Sequence, residues 1–258
     1  PVRRPILAWL TVLLYLTSGF AGITATRQTH ADTGVHLGPA PVYTGEEAGP
    51  AGLTAAGTGP TVNPANRAAS ATFYVDQYQN APDPALDWTG DFATCQKGAT
   101  ADVFKEAVRQ RILYFRAMAG VPTDIGLSST FNDKDQQAAL MMGKAEDLFH
   151  EPGAGWPCHT ADGADAAANS NLALGVNGWN AINLYMWDFG ENNGDAGHRR
   201  WLLYPQTTTF GTGDVPDDGA GKAANALWVF NNVGDPRPAT RHAFFPWPPR
   251  GYVPHQVV

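Results

Sequence analysis

Large apolar residues in the middle of the chain recur three and four apart. From Asp102 onward Phe104, Val108, Ile112 and Phe115 keep this spacing, which predicts an amphipathic helix closed by Gly120 and Pro122. A second helix is expected to start at Asn132 or Asp133, to carry Ala138, Met141, Met142, Ala145, Leu148 and Phe149 on one face, and to run up to His150 before Pro152 and Gly153 stop it. The histidine then sits at the carbonyl end of that helix. The Ala-rich run 164–174 also reads as helical, ending at Gly175, and Trp179, Ile182 and Met186 line another helix ending near Gly190. A short turn around Gly197 and His198 leads into Trp201, Leu202 and Leu203. Beyond Pro205 the period changes: 207–210 and 226–230 are β-branched or aromatic runs separated by a Gly/Asp-rich turn at 213–221, which predicts strands. Helices first and adjacent strands after make an α+β domain with an antiparallel sheet covered by helices.

Toward the ends this pattern fails. Arg3 and Arg4 precede an uncharged stretch, 5–26, that is apolar and then small-residue rich, the arrangement of a secretory signal. The same span is long enough to cross a bilayer as an anchor with the arginines on the cytoplasmic side. Either reading sends the remainder out of the cell or to its surface. Residues 27–71 hold Gly, Ala, Thr and Pro with hardly any large apolar side chain, too little to offset the entropy of ordering a backbone, and are expected to form a disordered linker. The folded domain is expected over 72–236. A tail, 237–258, carries Pro238, Pro246, Pro248, Pro249 and Pro254, which forbid a central strand or regular helix; it either wraps the domain or begins a further segment.

Composition narrows the function classes. With 17 basic and 24 acidic side chains the formal charge is -7, so polyanions are repelled and nucleic acid is not an expected partner. Charged residues make up 16%, and 28 Gly with 20 Pro put much of the chain in turns, which argues against a helical bundle. The two cysteines, Cys95 and Cys158, are expected to pair in an oxidising compartment, closing a loop of roughly 60 residues worth about 4 kcal/mol; the alternative is a pair of buried thiols. They lack the paired spacing of a cysteine-based zinc site.

The chemically distinctive residues lie between 139 and 205. His150 follows the second helix, Asn169-Ser170-Asn171-Leu172 comes next, Trp187-Asp188 closes a helix, and Gly197-His198-Arg199-Arg200-Trp201 opens a hydrophobic run. In that order and spacing the segments resemble the CAP superfamily of cysteine-rich secretory proteins, antigen 5 and pathogenesis-related plant proteins, over roughly 102–233. The resemblance implies a three-layer α-β-α sandwich, export, a disulfide, and a cleft faced by two histidines and two acidic residues. His150 and His198 match the histidines, Asp188 falls near one acid, and Ser170 stands where the other belongs. Family members bind sterols, fatty acids or other lipids, some hold a divalent metal at the histidines, and only some have been credited with peptidase activity.

The residues leave several readings open. Two neutral imidazoles can ligate zinc when a carboxylate such as Asp188, Glu191 or Glu151 joins them; alternatively His150 caps helix carbonyls and His198 organises a turn. Ser170 lacks the G-x-S-x-G surroundings of a nucleophile. Arg199 can grip an anionic ligand or pair internally with Asp188 or Asp195. Trp156, Trp187 and Trp201 can line an apolar groove or fill the core. Three functions follow: a binding module for a small or lipid-like ligand at the His150/His198 cleft, a metal-dependent hydrolase with Asp188 or Glu191 as base, or a structural module of a surface protein.

Overall fold

A computed structural model describes residues 34–45 and 59–258; the expected signal or anchor at 5–26 lies outside them. The order of elements is β1 (His36–Leu37), α1 (Arg67–Tyr74), α2 (Asp102–Ala119), β2 (Gly126–Leu127), α3 (Ser129–Ala145), α4 (Ala161–Asn169), β3 (Ser170–Leu174), α5 (Gly178–Trp187), α6 (Gly197–Leu202), β4 (Thr209–Val215) and β5 (Ala224–Trp228). The sheet runs β1-β3-β5-β4-β2, antiparallel except for the edge pair β2 and β4, which is parallel. Alternate strand residues feed two cores. Ala173, Phe210 and Leu227 pack with α2, α5 and α6, while Leu172, Leu174, Ala226 and Trp228 pack with α3 and α4. The architecture is therefore α+β, in three layers.

α2 ends at Gly120 as its sequence predicts, but α3 differs at both ends. Its first turn is capped by Ser128, whose side chain accepts from the Phe131 N–H, rather than by Asn132 or Asp133. It stops at Glu146, which turns left-handed, so His150 lies in the following loop and caps no carbonyl of this helix. The 164–174 run is also split: Thr160 caps α4, and Ser170 switches to extended backbone that pairs with β5 in the register Ser170 to Trp228. Both faces of β3 are buried, so it shows no polar alternation and its alanines resemble a continuing helix. The expected strands at 207–210 and 226–230 shift to β4 and β5, and Gly213 and Asp214 lie within β4 rather than in a turn. Glycine is required there because α3 lies directly on the strand: a Cβ at Gly213 would fall 2.1 Å from the backbone of Asp135 and Gln136.

The expected disordered linker does not hold for its described parts. β1 pairs with β3, and Asn66 accepts from the Ala69 N–H to start α1. Backbone and capping hydrogen bonds supply its order together with a few apolar anchors, Leu37, Tyr43 and Val62, that pack on the domain. The tail packs on the same core: Val257 is buried, Trp247 meets the Phe115 ring at 5.3 Å, and Arg241 donates to the carbonyls of Met118, Ala117 and Val62.

Two ties hold the loops. Cys95 and Cys158 form a disulfide with Cα atoms 5.2 Å apart, joining the segment before α2 to the loop before α4 across 63 residues. Arg116, wholly buried in α2, donates to the carbonyl oxygens of Pro122, Leu202, Tyr204 and Thr207. Burial pulls its guanidinium down to about 9, and those four oxygens supply the compensating contacts. Replacing both cysteines by serine is expected to lower the unfolding free energy by about 4 kcal/mol. Arg116→Met is expected to cost about 3 kcal/mol by stranding buried carbonyls. Denaturant titration of each variant against the parent measures both.

Candidate functional site

Asp188 follows α5 in a left-handed conformation, φ 46°, which turns its carboxylate toward the start of α6. Oδ1 lies 2.8 Å from His198 Nδ1 and Oδ2 accepts from the Arg199 N–H at 3.1 Å. An ionised carboxylate only accepts, so the proton of the pair sits on Nδ1. Both side chains are wholly buried. The imidazole stacks on Tyr185 with ring centroids 5.7 Å apart, Asn171 Nδ2 donates to the His198 carbonyl, and His198 Nε2 has no hydrogen-bond partner among the described residues. Arg199 donates to the carbonyls of Met186 and Trp187, closing the end of α5, and reaches Asn193 Oδ1. Its internal partners are thus mainly carbonyl oxygens, with Asp188 bound only through the Arg199 backbone. A His–Asp pair with this spacing is what general-base chemistry uses. Here it clasps α5 to α6, and the remaining nitrogen is shielded from solvent.

Ser170 is brought to a different acid. On the α3 face of the sheet its hydroxyl donates to Asp135 Oδ1 at 2.7 Å, and the other oxygen of Asp135 accepts from the Trp228 N–H at 3.0 Å. One buried carboxylate therefore pins α3 to both β3 and β5. Across the sheet Asp214 accepts from the Gly178 N–H, Thr212 Oγ1 and Asn225 Nδ2, and the Tyr185 hydroxyl donates to Asn225 Oδ1. Burial raises both carboxyls, Asp135 well above the ordinary range, while the hydrogen bonds they accept pull the other way. Ser170 is no nucleophile in this setting, because its hydroxyl is sealed and bound to a carboxylate instead of an imidazole. The sequence reading missed Asp135 and Asp214. The signal for the first is its position four residues after Phe131 and three before Ala138, on the apolar stripe of α3.

His150 stands apart from both clusters. It is half-buried, with Nδ1 2.5 Å from the Ala167 carbonyl and Nε2 2.8 Å from the Pro39 carbonyl. A neutral ring has one N–H for these two acceptors, and only an imidazolium donates to both. The ring borders a cavity of about 640 Å³ whose walls include Leu148, Phe149, Leu172, Phe230, Val42 and Tyr43, with Glu151 and Asn169 at its polar edge.

His198 does not line that cavity, so the expected shared cleft of two imidazoles is not formed. Glu191 lies on an exposed 3-10 turn, Gly190–Asn193, and lines a neighbouring hollow that shares Gly38 and Pro39 with the His150 cavity but not the cavity itself. Among the described residues no three His, Cys, Asp or Glu side chains gather where they could hold a metal ion. Both nitrogens of His150 face carbonyl oxygens, and one nitrogen of His198 is bound to Asp188, so the residues do not fit the zinc site expected at His150 and His198.

The buried acid yields a pH test. Asp135→Ala should cost about 3 kcal/mol by stranding the Ser170 hydroxyl and the Trp228 N–H, whereas Asp135→Asn keeps an acceptor. The folded carboxyl is raised above its unfolded value, so the native state binds the proton more tightly. Its contribution is full below the ordinary carboxylate range and is lost as pH rises through the raised folded value. Urea unfolding across that window should show the parent losing ground to Asp135→Asn as pH increases.

Comparison with known proteins gives one family and no curated relative. The model of CAP, the cysteine-rich secretory protein family, matches residues 110–232, from within α2 to just beyond β5. No curated protein matches the chain. The matched stretch contains His150, Ser170, Asp188, His198 and the strands β2 to β5. The match over residues 110–232, carried on this fold, supports membership of the CAP superfamily, the cysteine-rich secretory protein family.

Proposed function

We propose that this CAP domain is a non-catalytic binding module, working outside the cell or at its surface, that takes a small apolar or lipid-like ligand in the cavity beside His150. The observation that carries this reading is the cavity itself. About 640 Å³ bounded largely by aliphatic and aromatic side chains, with few polar groups at one edge, is the size and character of a small-molecule site. Phe149 is 49% exposed at its wall and stacks on Trp156 at 5.8 Å, so an apolar surface continues outward from the cavity. An ordered neutral ligand would remove that surface from water. Export is supported by the Cys95–Cys158 bridge, since such bonds persist in oxidising compartments. No helix among the described residues is long and apolar enough to cross a membrane.

The hydrolase reading gains no support from the geometry. Its second imidazole is sealed, its proposed base Asp188 is already bound to that ring, and no group of three His, Cys, Asp or Glu side chains gathers among the described residues. Solvent extraction of the purified protein followed by mass spectrometry, together with titration of a fluorescent fatty-acid analogue, tests the binding reading. Saturable uptake of the probe is expected. Phe149→Glu should weaken it about tenfold, the loss of roughly 1.4 kcal/mol that removing part of an apolar wall entails. A parent protein that yields no extractable apolar molecule and takes up no probe would sink the proposal.

A further inference from the structure

One wall of the cavity is a strap of chain that continues from the short edge strand β1. After Gly34 the chain runs extended through Leu37-Gly38-Pro39-Ala40-Pro41-Val42-Tyr43 and meets the rest of the domain in a repeating way. Its first residues add a strand to the edge of β3, His36 opposite Leu174 and Leu37 opposite Ala173. Beyond that point alternate carbonyls take over. Leu37 O accepts from Asn192 Nδ2 at 3.3 Å, Pro39 O lies 2.8 Å from His150 Nε2, and Pro41 O accepts from Trp201 Nε1 at 2.9 Å. Three side chains from three separate parts of the fold thus read every second carbonyl of an extended backbone. Tyr43 ends the series in an aromatic slot, edge-on to Trp201 at 6.3 Å and to Phe230 at 5.3 Å, where those two rings themselves meet at 4.5 Å.

This is the physical pattern of peptide recognition. Strand addition at a sheet edge gives main-chain affinity, and aromatic grooves with donor side chains select extended proline-containing segments. Prolines suit the strap because they favour an extended backbone and remove the N–H groups at positions 39 and 41, whose carbonyls are the ones that find side-chain donors. We propose that the groove made by the β3 edge, Asn192, His150, Trp201 and Phe230 is a recognition site for an extended peptide with alternating prolines followed by an aromatic residue. In this structure the chain's own residues 36–43 occupy it. The ligand class is a proline-containing peptide of a partner protein, and the resident strap acts as an intramolecular competitor. This proposal does not depend on what fills the cavity, although displacing the strap removes one of its walls.

A segment of the same chain competes intramolecularly, so a free peptide binds the parent only weakly. The test uses a labelled ten-residue peptide with the sequence of residues 35–44 and the full chain. Leu37→Asp combined with Tyr43→Ala removes two anchors of the strap without touching the groove. That variant is expected to bind the peptide at least tenfold more tightly than the parent, and a peptide carrying alanine for the tyrosine should lose at least tenfold. In the parent itself, several millimolar peptide should speed hydrogen exchange of amides in 36–43 at least threefold relative to a scrambled peptide. This second measurement stands even if the variant does not fold. Equal weak binding by folded parent and variant, or exchange unaffected by the peptide, overturns the proposal.

Discussion

A sheet covered by helices on both faces leaves the polar side chains of its strands no water to bond. Each must find a partner inside or carry a desolvation penalty of a few kcal/mol. Much of the interior follows from this constraint. Ser170 on one face is satisfied by Asp135, and Thr212 and Asn225 on the other by Asp214, whose remaining capacity fixes the first N–H of α5. Tyr185 from α5 closes the set against Asn225 and the Asn171 carbonyl. The carboxylates are therefore connectors between layers. Raising their pKa by burial is tolerable because each accepts several hydrogen bonds, and a buried network that is nearly complete specifies one packing of helix on strand.

The same constraint separates the two histidines. One imidazole, on α6, is drawn into the interior by Asp188 and Tyr185; the other, in the loop after α3, stays near the surface facing backbone carbonyls. Both lie in the stretch that the family model matches, one sealed in the interior and the other beside the apolar cavity. What persists is the scaffold. His198 and Asp188 keep a geometry familiar from catalysis while serving as a clasp between α5 and α6, and the surface side offers an apolar hollow in place of a charged one.

Much of the fold was legible where periodicity is strong. The apolar stripe of α2 and its glycine stop are plain in the sequence, and so is the likeness to the CAP family over the middle of the chain. Legibility failed where tertiary contacts decide. β3 reads as helix because burial on both faces removes the alternation that marks a strand. The glycines of β4 read as a turn because the need for them comes from α3, which is distant in sequence. The segment 34–45 reads as linker because its order comes from donors on Asn192, His150 and Trp201, none of them nearby along the chain. For the site, residue types were visible but their partners were not. Nothing local announces that Ser170 will meet Asp135, or that Arg199 will spend its donors on carbonyls.

The strap has a kinetic side. Its attachment rests on a two-residue strand, a few side-chain donors and one aromatic ring, far fewer contacts than those between α3 and the sheet, so it belongs among the parts that open locally while the sandwich stays intact. One wall of the hollow beside His150 therefore yields more readily than the walls that belong to the sandwich, so the volume there varies with the fraying of this one segment.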